Sequence, residues 1–147
     1  MPQIIEIIDL TANKFELPNY KYDSDAGMDV VANIDKTITL FSGESRLIPT
    51  GIKVNIPTGY EIQVRPRSGL ALKNQITVLN SPGTIDSGYT NEIGIILINH
   101  SKYEFNIVPG MRIAQIVLNK FEKIIWNQVT SFEKTDRGEN GFGSTGT

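Results

Sequence analysis

The sequence predicts an all-β domain, an antiparallel sandwich or barrel, and three observations lead there. Turn formers recur through the middle of the chain, at Ser42-Gly43, Pro49-Thr50-Gly51, Pro57-Thr58-Gly59, Ser81-Pro82-Gly83 and Pro109-Gly110. The runs between them are short and rich in β-branched and apolar residues, as short paired strands require. No long window repeats its apolar residues with the 3.6-residue period of an amphipathic helix.

Taken in order, "MDVVA" from Met28 opens the first clear strand, and "GIKVNI" from Gly51 follows the Pro49-Thr50-Gly51 turn signal. In "YEIQVRP" the stretch Glu61 to Arg65 alternates strictly, which predicts one wet face and one dry face. Around Gly69 to Asn74, leucine and alanine replace the β-branched residues, so one short helical turn is expected there. "IGIILI", within "NEIGIILIN", is apolar throughout and predicts a strand covered on both faces. "RIAQIVL" from Arg112 is a further such run, and Trp126 suits either the core or a subunit contact. There is no internal repeat and no linker. The expected organisation is a β-domain over 1–135 and a flexible, glycine-rich carboxyl-terminal arm over 136–147.

The chain has 147 residues, enough for a single domain with a real core. Its net charge is −2 and its lysines and arginines are scattered, so no nucleic-acid partner is expected. The absence of cysteine excludes disulfides, thiolate nucleophiles and cysteine-ligated zinc, and fits a reducing compartment. "MPQIIEIIDL" lacks the basic start and long apolar run of a signal peptide, and no stretch approaches the ~20 apolar residues of a membrane span. A cytoplasmic location without membrane contact is expected, and Asn99-His100-Ser101 reads as a chance glycosylation sequon.

Several chemistries fall away on residue inventory. His100 is the only histidine and sits at the end of an apolar run beside Ser101 and Lys102, in what reads as an exposed turn. That leaves no serine–histidine–aspartate triad and no histidine-based zinc site. A P-loop is missing. "DSDAGMD" fails as a calcium loop, because glycine is misplaced and Ile34 stands where a bidentate glutamate belongs. Asp23 and Asp25 suit a solvated turn, whereas Asp29, leading into a strand, can face a metal ion.

Three stretches, each of which alone also reads as an ordinary polar turn, hairpin or loose tail, suit a phosphorylated ligand in combination. In "RPRSGLA", Gly69 lets backbone amides approach an anion, Ser68 can donate a hydrogen bond and Arg67 supplies charge. "NSPGTIDSGYTNE" is dense in turn formers around Asp86 and Tyr89; by itself it reads as a decorated hairpin, and with the other stretches as a hairpin closing over a flat base. "RGENGFGSTG" carries Arg137, Phe142, Ser144 and Thr145 on a backbone that buries too little to order itself. Its G-x-G-x-x-G spacing lacks the strand before and helix after that a dinucleotide site requires. Two arginines, several hydroxyls, an aromatic ring and two carboxylates together match the needs of a nucleoside triphosphate with Mg²⁺.

These stretches, in the order "AGMD", "RPRSGLA", "NSPGTIDSGY", "GMRIAQIV" and "RGENGFGSTG", resemble the motifs of the homotrimeric dUTP diphosphatases, the dUTPases. The resemblance covers roughly Asp25 to Gly146. It implies a jelly-roll-like β-sandwich, a homotrimer, and active sites shared between subunits, with the last motif reaching a neighbour's site. Position by position, Asp86 resembles the base that activates the attacking water. Tyr89 matches the residue that stacks under deoxyribose and excludes a 2′-hydroxyl, and Asn80 begins the uracil-pocket hairpin. Arg67, Ser68 and Gly69 match the phosphate-binding turn, Gln115 lies near the phosphates, and Asp29 resembles the carboxylate that holds Mg²⁺ through water. Arg137, Ser144 and Thr145 would clamp the terminal phosphate while Phe142, followed by Gly143, covers the uracil. Thr90-Asn91 stand where the family usually carries arginine and glycine, and Met28 where an aromatic residue is common.

The reaction so implied is Mg²⁺-dependent hydrolysis of dUTP to dUMP and diphosphate, which limits uracil in DNA and supplies dUMP for dTMP synthesis. Two other readings stay open. A dCTP deaminase of the same fold would place a glutamate at the catalytic position and lack the "GFGSTG" lid. A regulator that binds nucleotide without turnover would have less use for Asp86 and both arginines.

Overall fold

The short apolar runs pair into two four-stranded antiparallel sheets sharing one core, described over residues 1–146 in a computed structural model. One sheet places β1 (Glu6–Asp9), β4 (Ser45–Asn55), β8 (Glu92–Asn99) and β6 (Ile76–Val78) side by side in that order. The other orders β2 (Gly27–Val31), β10 (Arg112–Lys120), β5 (Tyr60–Arg65) and β7 (Gly83–Ile85). A two-stranded ribbon joins β3 (Ile38–Leu40) to β9 (Phe105–Ile107). The short helix α1 (Ser68–Asn74) is the only helix among the described residues. This is the jelly-roll-like sandwich expected.

The strands that alternate do so for the reason read from the sequence. In β5, Ile62 and Val64 enter the core while Glu61, Gln63 and Arg65 face outward. Each fully buried isoleucine or leucine contributes roughly 1.5–3 kcal/mol relative to exposure, so a one-residue slip in register would expose the whole inner row. The helix ends at Gln75, whose left-handed backbone (φ 55°) directs its N–H to the Ala71 carbonyl. No charged residue lies in its first turn, and Leu70 alone packs against the core.

Two expectations are corrected. The strand "IGIILI" is not enclosed on both faces within the chain: Ile93, Ile95 and Leu97 are buried, whereas Gly94, Ile96 and Ile98 are half-buried. It lies mid-sheet, with β4 and β6 on its flanks, and its outer face is covered only in part, by side chains such as Leu47. The Pro49-Thr50-Gly51 signal does not turn the chain. β4 runs through it as a bulge, with the register to β8 shifting between Pro49 and Lys53. A bulge tolerates the missing proline N–H and the positive φ of Gly51 (74°), where a Cβ would stand 2.4 Å from the Thr11 methyl. Of the two places open to Trp126, the core is excluded, because the residue is 86% exposed in the single chain.

Strand structure stops at Lys120, and Phe121 N–H donates to the Gly59 carbonyl at 3.1 Å. Beyond it, residues 122–140 are exposed, including Ile125 at 95%, and backbone bonds from Thr135 onward are local turns. No helix among the described residues is long and apolar enough to cross a membrane.

Candidate active site

Two hollows carry part of the set singled out from the sequence, Asp29 and Gln115 in one and Asn80, Asp86 and Tyr89 in the other. The first is built on the outer face of the β2–β10–β5 sheet. Register puts Gln115 of β10 directly between Asp29 of β2 and Arg65 of β5, in one cross-strand row. Residues opposite one another across a ladder share a face, so the three side chains stand together. Arg67 follows the end of β5 and reaches back over the row. Its Nε donates to Asp29 Oδ1 at 3.0 Å and its Nη1 to the Arg112 carbonyl at 3.3 Å. Gln115 Nε2 donates to the Pro66 carbonyl at 3.0 Å. These bonds peg the "RPRSG" turn onto the sheet, with Ser68 and Gly69 opening α1 in the exposed position. The adjoining hollow, about 790 Å³, is lined by Asp25, Gly27, Asp29, Arg112 and Gln115 among others.

Among the described residues no group of three or more histidines, cysteines or acids is assembled to cage a metal. Mg²⁺ keeps several waters and commonly binds through one or two carboxylates plus substrate phosphates. Asp29, half-buried at the edge of an open hollow, fits that mode.

The second hollow, about 170 Å³, is lined by Asn80, Gly83, Thr84, Asp86 and Tyr89 over a floor that includes Val64 and Ile93. β7 pairs with β5, burying Gly83 and Ile85. The chain leaves the sheet after Ile85, which puts Asp86 in the open. A turn follows in which Tyr89 N–H donates to the Asp86 carbonyl at 3.1 Å, with Gly88 at φ 90°. Ser87 Oγ ties this turn to the Ile56 carbonyl at 2.8 Å, and the Tyr89 hydroxyl donates to the Glu92 carbonyl at 3.1 Å. Those two bonds anchor the turn that carries Asp86 and hold the Tyr89 ring by its hydroxyl. A Cβ on Gly83 would come within 3.1 Å of Val64 Cβ and 3.3 Å of Asn80 Nδ2, so glycine keeps the floor flat.

The structure does not bring the whole expected set together. The two hollows share no lining residue, so Asp86, Asn80 and Tyr89 stand apart from Asp29 and Gln115. The described residues of the arm reach neither. Arg137 Nε donates to its neighbour Asn140's carbonyl at 3.1 Å, Phe142 is fully exposed, and Gly143, Ser144 and Thr145 are exposed as well. Thr147, the last residue of the arm, lies outside the described residues. Elsewhere, His100 is exposed as expected, and Asn99 of the sequon is fully buried, its Nδ2 donating to the Leu40 and Tyr103 carbonyls.

The carboxyls held below their ordinary range lie outside both hollows. Asp9 is lowered first by the Thr11 hydroxyl, and Glu44 first by the Phe41 amide. Sequence reasoning missed Gly83 and Thr84, the carbonyls of Pro66 and Arg112, and Gly27. Backbone carbonyls leave no mark on residue type. The glycines had a signal, since each interrupts or borders an apolar strand.

The model of the dUTPase family matches residues 13–146. Curated relatives named deoxyuridine 5′-triphosphate nucleotidohydrolase include one from Fusobacterium nucleatum, 56% identical over 131 residues, covering 89% of this chain and 90% of that one. Another, from Crocosphaera subtropica, is 51% identical over 142 residues, covering 97% and 98%. Among solved structures, the dUTPase of Staphylococcus bacteriophage 80alpha with dUpNHpp superposes with a TM-score of 0.87 at 28% identity, covering 99% of this chain and all of that one. The chain belongs to the dUTPase family.

Proposed function

We propose that this chain hydrolyses dUTP to dUMP and diphosphate with Mg²⁺, through a site whose nucleoside and phosphate halves come from different subunits of a homotrimer. The observation that carries the reading is the separation of the two hollows. Asp86 stands with Asn80 and Tyr89 in one, while Asp29, held by Arg67, and Gln115 line the other. A second copy that sets its phosphate hollow against the first copy's nucleoside hollow completes one site per interface.

In that site Asn80 and the hairpin take the uracil edge and the Tyr89 ring packs against the deoxyribose. Asp86 accepts a proton from water as that water's oxygen bonds to the α-phosphorus. The bond from the α-phosphorus to the bridging oxygen breaks, dUMP and diphosphate separate, and Asp86 later returns its proton to solvent. Arg67, Ser68, Gly69 and Gln115 orient the triphosphate, whose charge of about −4 makes positioning and neutralisation the main contribution. Asp29 would hold Mg²⁺ through water, and the bound ion supplies charge neutralisation at the phosphate oxygens.

The 136–147 arm closes as a lid on the 1–135 domain of another subunit, with Arg137, Ser144 and Thr145 on the terminal phosphate and Phe142 and Gly143 over the base. Ordering a residue costs about 1–2 kcal/mol, so closure needs the contacts of the full triphosphate and dUMP leaves freely. Acting in the cytoplasm, the enzyme limits uracil in DNA and supplies dUMP for dTMP synthesis. The test is diphosphate release from dUTP, dTTP, dCTP and UTP, each with and without Mg²⁺. Release confined to dUTP and dependent on Mg²⁺ is expected; ammonia from dCTP instead would sink the reading.

A further inference from the structure

Gly27 meets Gln115 more closely than any side chain would allow. A Cβ built on Gly27 stands 2.3 Å from Gln115 Oε1 and 3.3 Å from its Cδ, with Val117 Cγ2 at an ordinary 3.5 Å. The two residues lie on neighbouring strands, and Gln115 pairs with Asp29, two positions beyond Gly27 on the same face of β2. The carboxamide is thus folded over the bare backbone at Gly27 while its Nε2 donates to the Pro66 carbonyl. One amide group is thereby placed by a vacancy on one strand and an acceptor beyond the end of another.

We infer that Gly27 is a positioning residue for the reaction: its missing side chain sets the Gln115 carboxamide at the phosphate hollow and, through Pro66, fixes the approach of the Arg67 turn. This rests on the reading of Gln115 as a phosphate ligand. Backbone strain offers no rival reason for glycine here, because Gly27 is absent from the positive-φ positions. Core packing offers none either, since the atom in the way is the far end of a flexible polar side chain. An added methyl group therefore displaces the amide and leaves the sheet in place. In solution Gly27→Ala should unfold at or slightly above the wild-type temperature, alanine having less freedom to lose on folding. Its catalytic loss should be large, because misplacing a contact group by about 1 Å can cost on the order of a hundredfold.

The test is a double-mutant cycle read by kcat and KM for dUTP, with thermal unfolding of every variant. Gly27→Ala in the otherwise native enzyme is expected to lower kcat/KM by at least about tenfold. Placed on Gln115→Ala, the same change is expected to cost less than about twofold, because the group it displaces is gone. Equal losses in both backgrounds would overturn the inference, as would wild-type kinetics for Gly27→Ala. Loss of folded structure in that variant would also overturn it, by showing that something other than the amide had to give. Failure of the underlying reading looks different: Gln115→Ala alone would then turn over dUTP like the native enzyme.

Discussion

Arg67 Nε donates to Asp29 Oδ1 at 3.0 Å, joining residues 38 positions apart. Opposite charges are held as a pair in the free chain, on an arginine and an aspartate proposed to serve the nucleotide's phosphates and its cation. Both side chains remain about one-third exposed, so water screens the pair.

A pair exposed to that degree is worth no more than about 1 kcal/mol, so Asp29→Asn should shift the melting temperature by only a few degrees. Turnover should fall much further, and more Mg²⁺ should be needed to reach half-maximal rate. Diphosphate release titrated with Mg²⁺ measures both. An unchanged Mg²⁺ requirement would remove Asp29 from the metal's neighbourhood.

Replacing the proposed base should separate binding from chemistry. Asp86→Asn keeps the size of the side chain and the surrounding turn but cannot accept the proton, so kcat should fall by about 10²–10⁴-fold. Isothermal titration with a non-hydrolysable dUTP analogue should still register binding close to native. Native turnover in this variant would reject the assignment.

Deleting Arg137 to Thr147 should abolish turnover and leave the fold intact. Its described residues contribute nothing to the core and hydrogen-bond only locally. Circular dichroism melting and a diphosphate assay, run on one preparation, decide the matter; an active truncation contradicts closure by the arm.

Tyr89 offers two separable features, a ring at the pocket wall and a hydroxyl bonded to the Glu92 carbonyl. Tyr89→Phe loses only that bond, a cost of about 0.5–1.5 kcal/mol in stability, and should still reject UTP. Tyr89→Ala removes the ring and should raise kcat/KM for UTP relative to dUTP. Unchanged discrimination in the alanine variant would assign sugar selection to some other group.

Acid sensitivity should trace in part to Asp9. Its carboxyl is held below the ordinary range, first by the Thr11 hydroxyl and next by the Thr11 amide. A lowered folded-state value means that the stability it contributes is present above the unfolded value and disappears as pH falls through the folded one. Asp9→Asn should therefore be less stable than native near neutrality and converge with it at low pH. Urea titrations at neutral and acid pH compare the two, and parallel curves would show no such linkage.

Much of this protein was already legible in its order of residues. Alternation in Glu61 to Arg65 set which side of β5 is wet, because a strand's side chains point to opposite faces with a period of two residues. Local signals misled where a longer pairing overrode them, as at Pro49-Thr50-Gly51, which β4 absorbs as a bulge because its partner β8 continues past it. The residues proposed to carry the chemistry were named from "RPRSGLA" and "NSPGTIDSGY" only in combination with the other stretches, since each motif by itself also reads as an ordinary turn. Tertiary structure decided which of them are neighbours. Asp29, Arg65 and Gln115 share a row only because β10 lies between β2 and β5, and cross-strand register depends on contacts between distant segments that no local pattern encodes. The vacancy at Gly27 belongs to the same level, since a glycine's meaning is the atom that comes to fill its missing side chain's place.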